Sequence, residues 1–284
     1  MIQTIGVVGA GTIGRGVAQS FAQAGFDVVL VDVSAAQLAS ALEQIGRDLL
    51  VLGMLPGARP GNGEAPEKVL ARIRTATALA ELSCADFVVE NVTEDWAVKR
   101  AVYEELDTVC RPEVIFGVNT SAVPITRVGS VTRRAGQVLG LHFMNPVPML
   151  DTVEVVRGTY TGEDTLAAAT GLLERIGKEA IVVADAPGFV TNRVLMPTIN
   201  EAVFCVQDGV ATPEQVDRMF RGCFGHRMGP LETGDLIGLD TILNSITVLY
   251  ESYRDSKYRP APLLVRMVEA GQLGRKTGQG FYSY

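Results

Sequence analysis

Short runs of β-branched residues alternate with longer amphipathic stretches through the first two-thirds of the chain. The runs predicted to be strands are TIGVV, DVVLVD, DFVVE, VIFGVN, QVLGLHF, TVEVVRG and AIVVAD. The stretches with helical periodicity between them are residues 13–24, 35–52, 95–109 and 163–176. Continuous apolar strands that alternate with helices are typical of a mainly parallel sheet covered on both faces. The pattern therefore predicts an α/β fold with a doubly wound sheet.

The pattern changes after the sequence DAPGF, which begins at Asp185, because no further strand-like run follows. Helical periodicity covers residues 189–206, and Thr212 starts a sequence with the composition of an N-cap and first turn. Residues 231–253 are predicted to form one continuous helix. One more helix and a glycine-rich tail complete the chain, so this part is predicted to be all-α.

The change of pattern predicts a domain boundary near Ala186. The first domain is expected over residues 1–186 and the all-helical second domain over residues 187–284. Residues 54–66 are dense in proline and glycine, so they are predicted to be a surface loop within the first domain.

Composition and charge narrow the class of protein. The 284-residue chain carries a formal net charge of -7 at pH 7, and its pI near 5.0 argues against a nucleic-acid-binding protein, which should present a basic face. The longest uncharged run, residues 135–150, contains a histidine, an asparagine and two prolines, so no membrane span is expected. The cysteines lie far apart with no C-x-x-C pair, which favours reduced thiols in the cytoplasm over disulfides or a metal site. They are Cys84, Cys110, Cys205 and Cys223.

A glycine-rich turn follows the first predicted strand. The sequence IGVVGAGTIGRGVAQSFAQAGFDVVLVD places Gly9, Gly11 and Gly14 between a strand and a helix. Gly9 permits a tight turn, Gly11 lets the backbone approach a pyrophosphate, and Gly14 lets the helix pack closely on the strand. The N-terminus of the helix attracts the anion. The residues of this turn that are predicted to bind a dinucleotide are Gly9, Ala10, Gly11, Thr12, Ile13 and Gly14.

Asp32, at the end of the second predicted strand, determines which dinucleotide is expected. A carboxylate at this position accepts hydrogen bonds from the ribose hydroxyls and repels a 2′-phosphate. The next residues, VSAAQ, include no arginine or lysine that would accommodate such a phosphate. The sequence therefore predicts a Rossmann-type domain that binds NAD rather than NADP.

His142, one of two histidines in the chain, ends a predicted strand on the side where ligands bind in open α/β sheets. Oxidation of a hydroxyl group needs a base for the hydroxyl proton, and histidine titrates near the working pH. Glu154 stands among the valines of the next strand, where a carboxylate must be paired or solvated. Paired with the far ring nitrogen, it would fix the tautomer of His142. The residues alone also allow a hydrogen-bonded core histidine beside an edge-strand glutamate, and both interpretations stay open.

The whole chain resembles the NAD-dependent 3-hydroxyacyl-CoA dehydrogenases, including the bacterial 3-hydroxybutyryl-CoA dehydrogenases, essentially end to end. The segment DAPGFVTNRVLMPTINEA, residues 185–202, is long and highly specific. The other motifs that carry the resemblance are GAGTIG at 9–14, NTSA at 119–122, HFMNPVP at 142–148, VEVVRG at 153–158, MGPLE at 228–232 and GRKTGQGFY at 274–282.

The resemblance implies roles for residues that the pattern alone would leave as caps or surface charges. His142 is the expected base, Glu154 its partner, and Ser121 and Asn192 the side chains that donate hydrogen bonds to substrate oxygens. A homodimer formed through the C-terminal domain is also implied. The cofactor contacts that it implies, besides the glycine turn and Asp32, are Glu94, Lys99, Ser121, Asn145 and Lys276.

Three features depart from the family pattern. Ala122 replaces a second serine, and Asp151 stands where lysine is frequent. The helix and loop that follow Asp32 contain arginine only at Arg47 and Arg59, whereas members that bind coenzyme A have lysines suited to its phosphates.

These departures leave the carrier of the acyl group open between coenzyme A and an acyl carrier protein. The sequences VVENVTEDW and GPLETGDLIGLDTI resemble a branch of the family found with polyketide pathways. Members of that branch are thought to oxidise a hydroxyacyl, glyceryl-type group on a carrier protein. A remote alternative is a non-catalytic NAD-binding structural protein, and the presence of all four implied catalytic residues argues against it.

Overall fold

The computed structural model describes residues 2–53 and 64–284 of the chain. The chain divides into two compact units, of which the first ends at Asp185 and the second spans Ala186–Tyr284. Each unit has its own hydrophobic core. Within the described residues, no helix combines the length and the apolar character that crossing a bilayer requires.

The first unit is built on one sheet. Its strands are β1 (Thr4–Val8), β2 (Asp27–Val31), β3 (Ile73–Ala76), β4 (Phe87–Glu90), β5 (Ile115–Val118), β6 (Val138–His142), β7 (Thr152–Arg157) and β8 (Glu179–Ala184). In the described part of the chain the order is β3-β2-β1-β4-β5-β6-β7-β8. All neighbouring strands are parallel except β6 and β7, which are antiparallel. This order reverses beside β1, as in a doubly wound sheet, and confirms the predicted Rossmann-type fold.

The strand β3 was not predicted, whereas the seven apolar runs all form strands. Only Ile73 of β3 is buried, and Arg74 is exposed to solvent. A four-residue strand at the edge of a sheet needs little apolar sequence, because its outer side pairs with no other strand. Its pattern is therefore too short to recognise.

Helices cover the sheet of the first unit. They are α1 (Thr12–Gln23), α2 (Ala35–Gly53), α3 (Pro66–Leu70), α4 (Trp96–Val109), α5 (Ile125–Gly129) and α6 (Glu163–Arg175). Val17 and Phe21 of α1 are fully buried in the same core as Ile5 and Val7 of β1. The loop predicted at residues 54–66 lies, up to residue 63, outside the described residues.

The second unit is helical. Its helices are α7 (Thr191–Gln207), α8 (Pro213–Phe224), α9 (Pro230–Ile237), α10 (Leu239–Tyr253) and α11 (Pro262–Glu269). The predicted N-cap of α8 is present as a capping box. The Thr212 hydroxyl accepts from the backbone N–H of Gln215, and the Gln215 side chain accepts from the backbone N–H of Thr212.

The prediction of one helix over residues 231–253 was wrong, because the chain breaks at Gly238. Gly238 has a φ of +105°, which separates α9 from α10. Side chains rarely tolerate this backbone conformation, so the glycine allows the turn. The apolar pattern continues on both sides of Gly238, and periodicity alone therefore did not reveal the break.

Candidate active site

In the glycine turn between β1 and α1, neighbouring backbone atoms leave no room for a Cβ at two of the glycines. Gly9 has a φ of +90°, and its N–H donates to the carbonyl of Val31 at 2.7 Å. A Cβ on Gly9 would lie 2.7 Å from the carbonyl oxygen of Asn91, and a Cβ on Gly14 would lie 1.8 Å from that of Gly9. A Cβ on Gly11 would meet nothing within 4 Å. Gly9 and Gly14 therefore shape the turn itself, whereas Gly11 faces open space.

Asp32 is hydrogen-bonded to the same turn. Its carboxylate accepts from the backbone N–H of Ala10 at 2.8 Å and from that of Ser34 at 2.9 Å. The side-chain amide of Gln37 donates to the carbonyl of Ala10 at 3.0 Å. These contacts hold a carboxylate beside the start of α1, where the sequence predicts that it meets a ribose.

The surroundings of the turn fit a bound dinucleotide. Gly11 is the N-cap residue of α1, and having no side chain it leaves the N–H groups at Thr12 and Ile13 for an anion. The first turn of α1 has no acidic residue that would repel a phosphate. Val33, directly after Asp32, has 95% of its surface exposed, which suits contact with the flat face of an adenine ring.

His142 and Glu154 meet because of the register of β6 and β7. The two residues are directly opposite in this antiparallel pair, so their side chains share one face of the sheet. The Nδ1 of His142 lies 2.8 Å from Oε2 of Glu154, and both side chains are buried. An ionised carboxylate can only accept, so this contact selects the tautomer with the proton on Nδ1 and leaves Nε2 as an acceptor.

Ser121 lies at the other nitrogen of the ring. Its Oγ is 2.9 Å from Nε2 of His142. With the proton of His142 on Nδ1, the serine hydroxyl is the donor in this contact. Ser121, His142 and Glu154 thus form a continuous series of hydrogen bonds at the carboxyl ends of β5 and β6, with the acid supplied by β7.

Glu94 holds the loop that carries Ser121. Its carboxylate accepts from the Thr120 hydroxyl at 2.8 Å and from the backbone N–H of Ser121. The Thr120 hydroxyl in turn accepts from the backbone N–H of Val123 at 2.9 Å. These bonds fix the backbone on both sides of Ser121. The cofactor contact predicted for Glu94 stays a prediction.

Lys99 is fully buried on α4, where its ammonium pairs with the buried carboxylate of Glu90. Its Nζ lies 3.0 Å from both Oε1 and Oε2 of Glu90. Burial raises the pKa of Glu90 and outweighs the opposing effect of the ammonium. The buried hydroxyl of Tyr103 lies near this carboxylate, but it makes no well-aligned hydrogen bond there. The cofactor contact predicted for Lys99 also stays a prediction.

The turn after His142 is held by a second buried lysine, which sequence reasoning missed. Lys178 donates to the carbonyl of Val147 at 2.7 Å and to that of Leu150 at 2.6 Å. Asn145, a predicted cofactor contact, is exposed on the same turn. Lys178 stands in a Gly-Lys pair between α6 and β8, and a lysine just before an apolar strand was the signal that could have identified it.

Comparison with known proteins assigns the family. Residues 4–186 match the family described as 3-hydroxyacyl-CoA dehydrogenase, NAD binding domain, and residues 188–284 match 3-hydroxyacyl-CoA dehydrogenase, C-terminal domain. The chain belongs to the 3-hydroxyacyl-CoA dehydrogenase family. It is an NAD-dependent oxidoreductase that acts on a CH–OH group, as predicted.

Similar members of the 3-hydroxyacyl-CoA dehydrogenase family extend over the whole chain. A probable 3-hydroxybutyryl-CoA dehydrogenase of Bacillus subtilis is 45% identical over 285 residues, covering 100% of this chain and 98% of the relative. A 3-hydroxybutyryl-CoA dehydrogenase of Bradyrhizobium diazoefficiens is 44% identical, covering 100% and 96%. The crystal structure of (S)-3-hydroxybutyryl-CoA dehydrogenase from Ralstonia eutropha matches with a TM-score of 0.94 and 41% identity, covering 100% and 99%.

Two of the residues that the family resemblance implicates belong to the second unit. Asn192 is buried in the first turn of α7. Lys276 lies in the glycine-rich tail, where its ammonium pairs with the carboxylate of Asp240. Burial alone would raise the pKa of Asp240, but the hydrogen bonds from Lys276 and from the backbone N–H of Thr241, together with the charge of Lys276, outweigh it and the pKa is lowered.

Proposed function

We propose that this member of the 3-hydroxyacyl-CoA dehydrogenase family oxidises the hydroxyl group of a 3-hydroxyacyl-CoA, such as 3-hydroxybutyryl-CoA, to the ketone. The observation that carries the proposal is the hydrogen-bonded series from Ser121 through His142 to Glu154, with contacts of 2.9 and 2.8 Å. The relatives named as 3-hydroxybutyryl-CoA dehydrogenases are similar over the full chain, which supports the same class of substrate.

The glycine turn and Asp32 would hold the NAD. The backbone from Gly9 to Gly14 would receive the pyrophosphate, and Asp32 the ribose hydroxyls. Bound NAD would accept a hydride from the carbon that bears the hydroxyl group. The further cofactor contacts that we assign by family resemblance are Glu94, Lys99, Ser121, Asn145 and Lys276.

His142 would remove the hydroxyl proton of the substrate. Its Nε2 is the ring nitrogen that can accept a proton when Nδ1–H donates to Glu154. The imidazolium that forms would be stabilised by the buried carboxylate of Glu154, which keeps the ring oriented. Glu154 therefore selects the tautomer of His142, orients its ring and stabilises the positive charge that the ring gains.

Ser121 and Asn192 would bind the oxygens of the substrate. The Ser121 hydroxyl can donate to the oxygen that becomes the ketone, next to the ring that takes its proton. The Asn192 amide is assigned to the thioester carbonyl by family resemblance. Donors aimed at oxygens that gain charge during the reaction lower the barrier more than they strengthen substrate binding.

Replacement of the base tests the proposal. We expect His142→Ala to lower kcat for NADH formation from 3-hydroxybutyryl-CoA by about 100-fold or more, because general base catalysis contributes at least that much. The Kd of NADH, followed by fluorescence, should change little. Activity within about tenfold of the wild type would show that His142 is not the base.

The second histidine provides the matched control. His226 is exposed at the end of α8, where its ring packs against Phe220. We expect His226→Ala to leave kcat and KM unchanged. If the protein were instead a non-catalytic NAD-binding structural protein, the wild type itself would form no NADH from 3-hydroxyacyl thioesters.

The solvent-exposed side of α2 supports a second candidate, the same oxidation with the acyl group on an acyl carrier protein. The exposed Arg47 is paired with Glu43, so its charge is already compensated within the helix. Leu50 and Val51 are 57% and 60% exposed on the last turns of α2. Paired charge and exposed aliphatic side chains suit a protein surface better than the phosphates of coenzyme A. Arg59 lies outside the described residues.

A direct comparison of carriers distinguishes these two candidates. The kcat/KM for 3-hydroxybutyryl-CoA is compared with that for the same acyl group on a carrier protein. Equal or higher kcat/KM on coenzyme A would exclude the carrier-protein candidate, and a preference of tenfold or more for the carrier protein would exclude coenzyme A as the main substrate.

We also propose that the chain forms a homodimer through its second unit. Met219 and Phe224 on α8 are 60% and 68% exposed, and Val194 on α7 is similarly exposed. Exposed apolar residues in one unit are typical of a surface that associates with another chain. Light scattering after size-exclusion chromatography should give twice the chain mass, and Phe224→Lys should reduce it; a wild-type monomer at working concentration would contradict the dimer.

A cytoplasmic location is proposed from the cysteines. Cys84, Cys110, Cys205 and Cys223 are all free thiols. Burial raises the pKa of Cys110 to about 11, which keeps that thiol protonated and unreactive. Free thiols fit a reducing compartment. Fractionation of the native host cells checks the location.

A further inference from the structure

The turn between β6 and β7, residues 143–151, joins two antiparallel neighbours of the sheet. It is longer than the usual hairpin loop of about two to five residues, so local turn geometry does not fix its conformation. Asn145, three residues after His142, is exposed on this turn. Contacts with other parts of the first unit must therefore hold the turn in place.

One side of the turn packs on α1. Val147 is buried in the same core as the apolar side chains of α1. A Cβ on Gly16 of α1 would lie 2.9 Å from the Cβ of Val147, so the glycine allows this close approach. The helix α1 begins at the glycine turn that would receive the pyrophosphate of NAD. The turn thus connects the strand end that carries His142 with the helix of the proposed pyrophosphate site.

Lys178 holds the backbone of the turn from another direction. Its Nζ donates to the carbonyl of Val147 at 2.7 Å and to that of Leu150 at 2.6 Å. These two carbonyls belong to the first residue of a single helical turn, Val147–Met149, and to the residue that ends it. A buried ammonium is costly unless its N–H groups are hydrogen-bonded, and the Lys178 residue is only 5% exposed. The lysine therefore fixes both ends of this helical turn.

The backbone of Lys178 is itself fixed by the end of α6. Gly177 has a φ of +72°, and its N–H donates to the carbonyl of Glu174 at 2.9 Å. The N–H of Lys178 donates to the carbonyl of Leu173 at 3.0 Å. This pair of hydrogen bonds is a Schellman motif, and β8 begins at the next residue. Lys178 is held between a helix end and a strand start, which gives its side chain a defined origin.

Asn145 lies where the nicotinamide half of NAD is expected. The hydride leaves the carbon whose hydroxyl group His142 would deprotonate, so the nicotinamide ring must lie close to that histidine. The side-chain amide of Asn145 has donors and an acceptor for polar groups of the nicotinamide or its ribose. A shift of the turn would move Asn145, whereas the adenosine half of NAD, bound beside Asp32, would keep its contacts.

We propose that Lys178 is a positioning residue, which fixes the turn between β6 and β7 and thereby sets Asn145 against the nicotinamide half of NAD. It acts on the cofactor through the backbone of the turn and through Asn145. This inference rests on the proposed function, since the contact of Asn145 with NAD is part of it.

Two ligands separate positioning from general damage to the protein. ADP carries the adenosine and diphosphate of NAD but neither the second ribose nor the nicotinamide. We expect Lys178→Met to raise the Kd of NADH, measured by fluorescence, by about tenfold, the effect of about one lost hydrogen bond. The Kd of ADP, measured by calorimetry, should stay within about twofold. Equal weakening of both ligands, or an unchanged Kd of NADH, would overturn the proposal.

A milder variant keeps the test decisive if Lys178→Met does not fold. Lys178→Gln retains two N–H donors for the carbonyls on a shorter, uncharged side chain. It should raise the Kd of NADH by about threefold and leave that of ADP unchanged. A threefold rise for both ligands would count against positioning.

A double-variant cycle tests whether Lys178 acts through Asn145. Asn145→Ala should raise the Kd of NADH by about tenfold and leave that of ADP unchanged. In the Asn145→Ala background, Lys178→Met should add less than about threefold, because both changes remove the same contact. A full tenfold addition, or no effect of Asn145→Ala by itself, would overturn the proposal.

The matched control is Lys68→Met, the same substitution at an exposed lysine of α3. It should leave the Kd of NADH and of ADP unchanged. The binding measurements need no turnover. If the wild type forms no NADH from any 3-hydroxyacyl thioester, the proposed oxidation fails, whereas the comparison of NADH with ADP still decides the role of Lys178.

Discussion

The glycine turn and the site around His142 are built from different chemical groups, one from the backbone and the other from side chains. The turn relies on backbone groups and on missing side chains, since a Cβ on Gly14 would lie 1.8 Å from the carbonyl oxygen of Gly9. The His142 site relies on side chains from several strand ends, with a buried ion pair behind them. Substitutions in the turn should therefore change cofactor affinity or stability, whereas substitutions around His142 should change kcat.

Among the substitutions that test this comparison, Glu154→Gln is expected to have the largest effect on kcat. An amide at this position can donate to Nδ1 of His142, which places the ring proton on Nε2 and removes the acceptor for the substrate proton. We expect kcat to fall by roughly two to four orders of magnitude, as for other acid-oriented histidine bases. The Kd of NADH should stay within about threefold. A variant with kcat near that of the wild type would show that Glu154 does not set the tautomer.

Two glycine substitutions form a matched pair within the turn. Gly14→Ala should lower the free energy of unfolding by about 3 kcal/mol in the absence of cofactor, because the new methyl group meets backbone. Gly11→Ala meets nothing in the protein, so its stability should change by less than about 1 kcal/mol. Its Kd for NADH should nevertheless rise, since the methyl group occupies the space of the pyrophosphate. Equal stability loss in urea unfolding of both variants would contradict this division of roles.

Asp32→Ala tests whether residues beside the glycine turn act on cofactor affinity. Loss of a charged acceptor for the ribose hydroxyls should raise the Kd of NADH by about tenfold or more. The preference for NADH over NADPH should fall, because the carboxylate no longer repels a 2′-phosphate. We expect kcat at saturating NAD to stay within about threefold. A large fall in kcat with an unchanged Kd of NADH would instead show that Asp32 takes part in catalysis.

The smallest effect on activity is expected at Asp107, a buried carboxylate of α4 that pairs with two arginines after α5. Asp107 accepts from Arg134 at 2.7 Å and from Arg133 at 2.9 Å. Burial alone would raise the pKa of Asp107, but the hydrogen bonds from both arginines outweigh it and the pKa is lowered. Asp107→Asn should cost about 2 kcal/mol of stability at neutral pH and leave kcat unchanged.

The pH dependence of the Asp107 contribution follows from the lowered pKa. The unfolded chain has an ordinary aspartate pKa of about 3.9, so the stabilisation is fully present above that value. It is lost as pH falls through the lower pKa of the folded state. Urea unfolding of the wild type and Asp107→Asn should therefore differ at pH 7 and converge in acid; a constant difference would contradict the lowered pKa.

Local features of the sequence predicted most of the fold. The apolar runs β1, β2 and β4–β8 were recognisable because each is a short continuous stretch rich in β-branched residues, which favour strands. The edge strand β3 and the break at Gly238 were not predicted, because one is too short for a pattern and the other interrupts no apolar periodicity.

The residues of the candidate site were predictable to different degrees. His142 and the glycine turn stood out as a histidine at a strand end and a spaced glycine motif. The contacts of Lys99, Asn119 and Lys178 did not, because a lysine on an amphipathic helix or before a strand has the sequence pattern of a solvated charge. Their burial depends on distant strands packing around them.

The amino-acid sequence by itself determined the alternation of strands and helices, the glycine turn and the candidate acid and base, because these depend on neighbouring residues and on side-chain chemistry. Tertiary structure decided that β6 and β7 are antiparallel, which brings Glu154 opposite His142. It also decided that the ammonium of Lys99 is enclosed and bonded to Asn119. Register and burial depend on the pairing of segments far apart in the chain, and no local pattern specifies that pairing.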